Sequence, residues 1–160
     1  MELITPFYDI AKDPMAYARD WKTRTHSKIV GYFCSYGPEE IIWAAGALPY
    51  RITGGGQTMA RADAHLQAYA CSLVRGALDD VLNGQLDFLD GTVFPHTCDS
   101  IQRLSDIWRL NAGFDVHLDL VLPVKLNTQS AENYMQAVLK KFCKDLEAGL
   151  KVNITAPKLK

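Results

Sequence analysis

Four cysteines, Cys34, Cys71, Cys98 and Cys143, are the residues of this chain with the widest chemical range. A thiolate is both a nucleophile and a soft metal ligand, and its reactivity follows its pKa. No CxxC pair is present, and the cysteines are far apart in sequence, so spacing alone is a weak metal signal. His96 stands two residues before Cys98. That neighbour leaves three readings open: a zinc site that recruits histidine, a nucleophilic Cys98 activated by His96, or a loop histidine near a thiolate ligand. The nucleophile reading lacks an identifiable oxyanion hole. Glu39 and Glu40 follow Cys34 closely and are candidates for proton transfer, although acids in a first helical turn also serve the helix dipole. Cys143 falls beside an apolar helical stripe and reads as a packing residue.

Gly54-Gly55-Gly56 has neither the GxxxxGK[ST] nor the GxGxxG spacing, so it reads as a flexible turn rather than a phosphate cradle. Arg51, Arg61, Arg75 and Arg103 offer charge to an anionic thioester carrier, with no signal that singles out one of them.

Positioning these side chains falls to a repeated strand–helix pattern. Residues 6–24 read as one or two amphipathic helices, with Pro14 in the first turn of the second and Tyr17 and Trp21 on one face. Lys28 to Phe33 is an apolar run suited to a buried parallel strand, followed by a helix from Glu39 to Gly46. Leu48 to Thr53 is a second strand, and a helix begins near Ala68 or Tyr69 and ends at Asn83-Gly84. Gly91 to Phe94 is a third strand, with a helix from Ser100 to about Arg109 behind it. Val116 to Val124 is a fourth, and its alternating start hints at a sheet edge. A long helix from Ser130 to Leu150 carries Met135, Val138, Leu139, Phe142 and Leu146 on its apolar stripe.

The predicted fold is α/β: an open, mostly parallel sheet of about four strands with helices on both faces, Rossmann- or flavodoxin-like, behind an N-terminal helical segment. In such a sheet ligands gather outside the carboxyl ends of the strands. Cys34 and Cys98 each follow a strand, and Cys71 falls near a helix N-terminus, where unpaired N–H groups stabilise a thiolate. The organisation expected is a helical segment over 1–27, an α/β domain over 28–150, and a tail or linker over 151–160 toward a further domain.

Composition narrows the partners. The chain has 160 residues, 17 lysines and arginines against 18 aspartates and glutamates, and 48% apolar residues. The balanced charge provides no electrostatic case for nucleic acid or an acidic membrane. The apolar runs are too short to span a bilayer, and residues 1–10 lack the pattern of a signal peptide. A cytoplasmic location is the expectation, and in a reducing compartment four cysteines do not suggest a disulfide framework.

Three blocks carry a resemblance. Val30-Gly-Tyr-Phe-Cys-Ser-Tyr-Gly-Pro-Glu-Glu-Ile-Ile42 leads into Ala44-Ala-Gly-Ala-Leu-Pro49. Ala62-Asp-Ala-His-Leu-Gln-Ala-Tyr-Ala-Cys-Ser72 precedes Val74-Arg75, and Asp87-Phe-Leu-Asp-Gly-Thr-Val-Phe-Pro-His-Thr-Cys-Asp-Ser100 comes third. In this order they resemble the 2-hydroxyglutaryl-CoA dehydratase D-component family, which also includes benzoyl-CoA reductase subunits. The resemblance implies a 4Fe-4S cluster with Cys71 and Cys98 as ligands, and Cys34 at a position where many relatives carry a third cysteine. It also implies a CoA-thioester substrate, a homologous second subunit, and a separate ATP-dependent iron–sulfur activator that supplies a low-potential electron. The implied reaction is radical dehydration of a 2-hydroxyacyl-CoA. Electron transfer into an aromatic ring, as in benzoyl-CoA reductase, is the enzyme alternative, and a non-catalytic cluster-bearing electron-transfer or scaffold subunit is the other. Glu39, Glu40 and His96 are the candidates for the supporting proton chemistry.

Overall fold

Two short runs without charge, Ile29–Tyr32 (β1) and Gly91–Pro95 (β3), are buried at every position and form the centre of a four-stranded sheet. The computed structural model describes residues 4–55, 60–155 and 158. Gly56 of the glycine run, the first three residues, and Ala156, Pro157, Leu159 and Lys160 of the tail lie outside the described residues. Leu48–Arg51 (β2) pairs with β1, and Val116–Leu120 (β4) pairs with β3, so the order is β2-β1-β3-β4 with every pair parallel. β4 is at an edge, as its polar alternation suggested. It is shorter than expected, ending at Leu120 before Pro123, which has no N–H to give to a ladder.

Among the described residues six α-helices surround the sheet: Thr5–Lys12 (α1), Pro14–Thr25 (α2), Glu39–Ala44 (α3), Ser72–Leu82 (α4), Asp99–Asn111 (α5) and Gln129–Leu150 (α6). Alternation along β1 sends Ile29 and Phe33 to one face and Val30 and Tyr32 to the other. The first face is covered by α2, α4 and α5 through Ala18, Val74, Leu78, Ile101, Leu104 and Trp108. The second is covered by α3 and α6 through Ile42, Phe142, Leu146 and Leu150. The fully buried leucines and isoleucines among them, such as Ile42, Leu78 and Leu146, each contribute about 1.5–3 kcal/mol of transfer free energy. None of the described helices is long and apolar enough to cross a membrane.

Local chemistry sets the joints. Asp13 caps α2 by accepting from the Ala16 N–H at 2.9 Å, with Pro14 in the first turn as expected. Asp90, just before β3, accepts from Lys22, Lys28 and the Ile29 N–H, each at 2.9 Å, and so ties α2 and the start of β1 together at the amino end of the sheet. Burial raises the Asp90 carboxyl, but the hydrogen bonds from Lys28 and Lys22 outweigh it and hold the group below the usual carboxylate range.

Gly54 and Gly55 are held more closely than their composition suggests. Gly54 has φ +66°, and a Cβ there would lie 2.6 Å from both the Ala77 nitrogen and the Leu73 carbonyl oxygen of α4. Asp80 accepts from the Gly55 N–H, and Asp79 accepts from the Arg61 and Ala62 N–H groups, so adjacent buried acids hold both ends of this connection. A 3-10 turn at Ala62–Ala64 follows, and α4 begins only at Ser72. The predicted start near Ala68 is thus corrected: the chain turns through residues 67–70 before the helix can start.

Candidate functional site

The chain leaves β1 toward β2 on one side, while β3 and β4 lie on the other. The strand order therefore reverses between β1 and β3, and the crevice beyond their carboxyl ends is where a parallel sheet opens for a ligand. Cys34 and Cys98 stand on the two turns that border this crevice.

The first turn is built from near neighbours. After Phe33 the chain passes through Cys34 in the left-handed region, at φ 59°, a conformation uncommon for a residue with a Cβ. The next residues fold back over the Tyr32 ring. A Cβ at Gly37 would overlap Cδ2 of that ring, so only glycine fits. Tyr32 donates to Glu39 at 2.6 Å. Burial and the Glu39 carboxylate push the Tyr32 phenol up to about 12, so it remains a neutral donor. Glu39 is thereby occupied as an acceptor, and Glu40 beside it is exposed.

The second turn connects β3 to α5. Cys98 is the N-cap of α5 and Cys71 the N-cap of α4, both in extended backbone conformation and neither making a side-chain capping bond. Caps are usually Ser, Thr, Asp or Asn, whose oxygens satisfy first-turn N–H groups. A cysteine in that place leaves those donors for a thiolate or for whatever the sulfur holds. Both thiols are exposed and free, and Cys34 is half-buried. The Thr97 hydroxyl donates to the Cys34 sulfur at 3.6 Å, so the two turns touch. A cleft of about 330 Å³ separates the segment leading to Cys71 from the start of α5, lined by Gln67, Tyr69 and Ala70 on one side and Asp99, Ser100 and Arg103 on the other.

Beside the second turn is a polar cluster. Asp119 of β4 accepts at Oδ1 from Ser105 (2.5 Å) and His96 Nε2 (2.9 Å), and at Oδ2 from Arg109 (2.7 Å). Burial raises the Asp119 carboxyl, yet the hydrogen bonds from Ser105 and His96 more than compensate, and it titrates below the usual range. His117 stacks on Phe94 at 4.8 Å, lies 2.8 Å from Ser105 Oγ, and is held toward its neutral form by burial. Ser105, Arg109, His117 and Asp119 escaped sequence reasoning. The available signal was the alternation of His117 and Asp119 on an edge strand.

Of the four arginines considered, Arg51 reaches Ser35 at 3.3 Å, Arg61 donates to the Leu82 carbonyl and Arg75 pairs with Asp63. Arg103 lines the cleft. Cys143 belongs to α6 on the other face, where burial raises its thiol. The donors fit a thiolate-bound cluster in type and access: three free sulfurs, with Cys34 and Cys98 on touching turns and Cys71 and Cys98 at helix starts that lack a side-chain cap. Among the described residues, however, no three His, Cys, Asp or Glu side chains gather closely enough to hold a metal ion by themselves.

Fold and site together define a parallel α/β domain that presents cysteines from the carboxyl edge of its sheet. Residues 34–160 match the family described as 2-hydroxyglutaryl-CoA dehydratase, D-component, and the chain belongs to that family. It is 36% identical over 133 residues to a subunit of the benzoyl-CoA reductase of Thauera aromatica, covering 81% of this chain and 34% of that protein. It is 26% identical over 141 residues to the (R)-phenyllactyl-CoA dehydratase beta subunit of Clostridium sporogenes, covering 88% and 38% respectively. Against the beta subunit of the lactoyl-CoA dehydratase of Anaerotignum propionicum, identity is 28% over 174 residues, covering 89% and 46%. The chain thus spans between a third and a half of the length of these curated relatives.

Proposed function

We propose that this chain is the cysteine-bearing α/β portion of a 2-hydroxyacyl-CoA dehydratase-type subunit, holding a 4Fe-4S cluster through Cys71 and Cys98 with Cys34 as a further ligand. The observations that support this reading are that Cys71 and Cys98 are N-caps without a side-chain capping bond and that Cys34, in the left-handed region, stands on a turn that touches the Cys98 turn. When bound, the cluster supplies one-electron transfer to a CoA thioester. The chain's own part is to hold it. Cys71 and Cys98 stand at the starts of α4 and α5, where no side-chain cap occupies the first-turn N–H groups, and the Thr97 hydroxyl donates to Cys34. The ligand set closes with a contribution from beyond residues 28–150, from the second domain or from a homologous partner subunit. Electrons come from an ATP-dependent activator, in the cytoplasm.

A benzoyl-CoA reductase-type role is the second reading, favoured by the 36% identity to a subunit of that enzyme. Both readings use the same cysteines and differ in the acyl group that accepts the electron.

Iron and acid-labile sulfide are to be measured on protein prepared without oxygen, together with an EPR spectrum. The expected result is about four irons and about four sulfides per cluster-bearing chain, lost in Cys71→Ser and Cys98→Ser and kept in Cys143→Ser. Full iron in Cys98→Ser overturns the assignment.

A further inference from the structure

The polar cluster on β4 is not used by the cysteine assignment, yet it contacts one of the cysteine turns directly. The turn after β3 is attached to β4 twice. The His96 N–H donates to the Leu120 carbonyl at 2.8 Å, and His96 Nε2 lies 2.9 Å from Asp119 Oδ1. The second bond comes from a carboxylate that is itself fixed. Ser105 and Arg109, one turn apart on α5, hold its two oxygens at 2.5 and 2.7 Å. Asp119 thus joins β4, α5 and the turn connecting β3 to α5.

Proton positions follow from the chemistry of the groups. A carboxylate accepts only, so Ser105 gives its hydroxyl hydrogen to Asp119, and its oxygen is left to accept from His117 Nε2–H. By the same rule His96 carries a hydrogen on Nε2 and donates it to Asp119. Serine, histidine and aspartate here do not make a nucleophile: Ser105 is 1% exposed and its hydrogen is committed to the acid.

We propose that Asp119 is the positioning residue of the Cys98 turn, holding His96 by its Nε2–H and, through it, clamping the turn to the edge of the sheet. Its bearing on cluster binding rests on the function proposed above. The clamp itself concerns the metal-free chain, so its test and the iron measurement fail independently.

The test is amide hydrogen exchange on the reduced, metal-free chain, followed at His96, whose N–H is bonded to the Leu120 carbonyl, and at Ile52, whose N–H is bonded to the Tyr32 carbonyl. Loss of one hydrogen bond to a charged group should open the turn and raise the exchange rate at residue 96 relative to Ile52, each corrected for its intrinsic rate, by about tenfold in Asp119→Ala and in His96→Ala. In the double variant that amide should exchange no faster than in either single one, because the two side chains act as a unit. His96→Gln keeps an N–H donor near the Nε2 position and should return the rate to that of the parent. The ring Nε2–H proton signal should be observed in the parent and lost to solvent exchange in Asp119→Ala. An unchanged rate at residue 96 in a folded His96→Ala chain overturns the clamp, as does a His96→Gln chain that exchanges as fast as His96→Ala. Should Asp119→Ala fail to fold, the two His96 variants decide the question.

Discussion

The two turns that border the crevice are held in different ways. The Cys34 turn is shaped by residues a few positions away: Tyr32 supplies the ring, Gly37 the clearance over it, and Glu39 the acceptor for its hydroxyl. The Cys98 turn is held from a distance, through His96 on Asp119 across 23 residues of sequence. One turn is therefore a local steric fit on an aromatic ring. The other depends on a charged group supplied by the last strand. Neighbouring cysteines at one site can thus be placed by interactions of different range, and so should respond to different perturbations.

The base common to both turns is the sharpest place to break the contrast. Phe33 is fully buried, with its ring 4.8 Å from Phe94 and 5.5 Å from Trp108. Phe33→Ala should cost about 3–5 kcal/mol by denaturant unfolding and loosen both turns together. Unchanged exchange protection of the His96 amide in that variant would show that β4 alone suffices to hold the Cys98 turn. A smaller, selective effect is expected for Gly37→Ala. The new methyl meets the buried Tyr32 ring, so stability should fall by about 1–3 kcal/mol. Half-buried Cys34 should become more reactive to alkylation while exchange at the His96 amide does not change. A parallel rise at His96 would mean the turns are coupled through Thr97 more tightly than the contrast allows.

The smallest effect concerns pH, where the two turns should weaken at opposite ends of the scale. Tyr32 is raised in the fold, so its contribution is full below the unfolded value of about 10 and is lost as pH climbs toward about 12. His117 is lowered by burial, so the unfolded chain takes up the proton first, and stability declines as pH falls below about 6.5. Asp119, also lowered, adds a further loss once pH passes below about 3.9, the unfolded value. Amide exchange resolved by residue checks this: acid should open the Cys98 turn first and alkali the Cys34 turn. The same order at both extremes would erase the distinction.

Much of the fold could be read from local pattern. Apolar runs at Ile29–Tyr32 and Gly91–Pro95, the Asp13-Pro14 start of α2 and the stripe of α6 each act within a few residues, through burial, capping and periodicity. The polar alternation of β4 even foretold its edge position. The errors came where tertiary contact overrode propensity. Helix α4 waits for Ser72 because the preceding residues are turned and pinned by Asp79, and Gly54 is packed on α4 rather than loose.

The site divides along the same line. That Cys34 and Cys98 follow strands, and that Cys71 opens a helix, is a consequence of where hydrophobic runs stop and helical ones begin. That Thr97 meets Cys34 from 63 residues away, and Asp119 meets His96, required the strand order β2-β1-β3-β4. Side-chain periodicity states which face a residue takes but not which strand will lie beside it. Strand order is settled by burial on both faces at once, and only then do distant polar groups find partners strong enough to orient a turn.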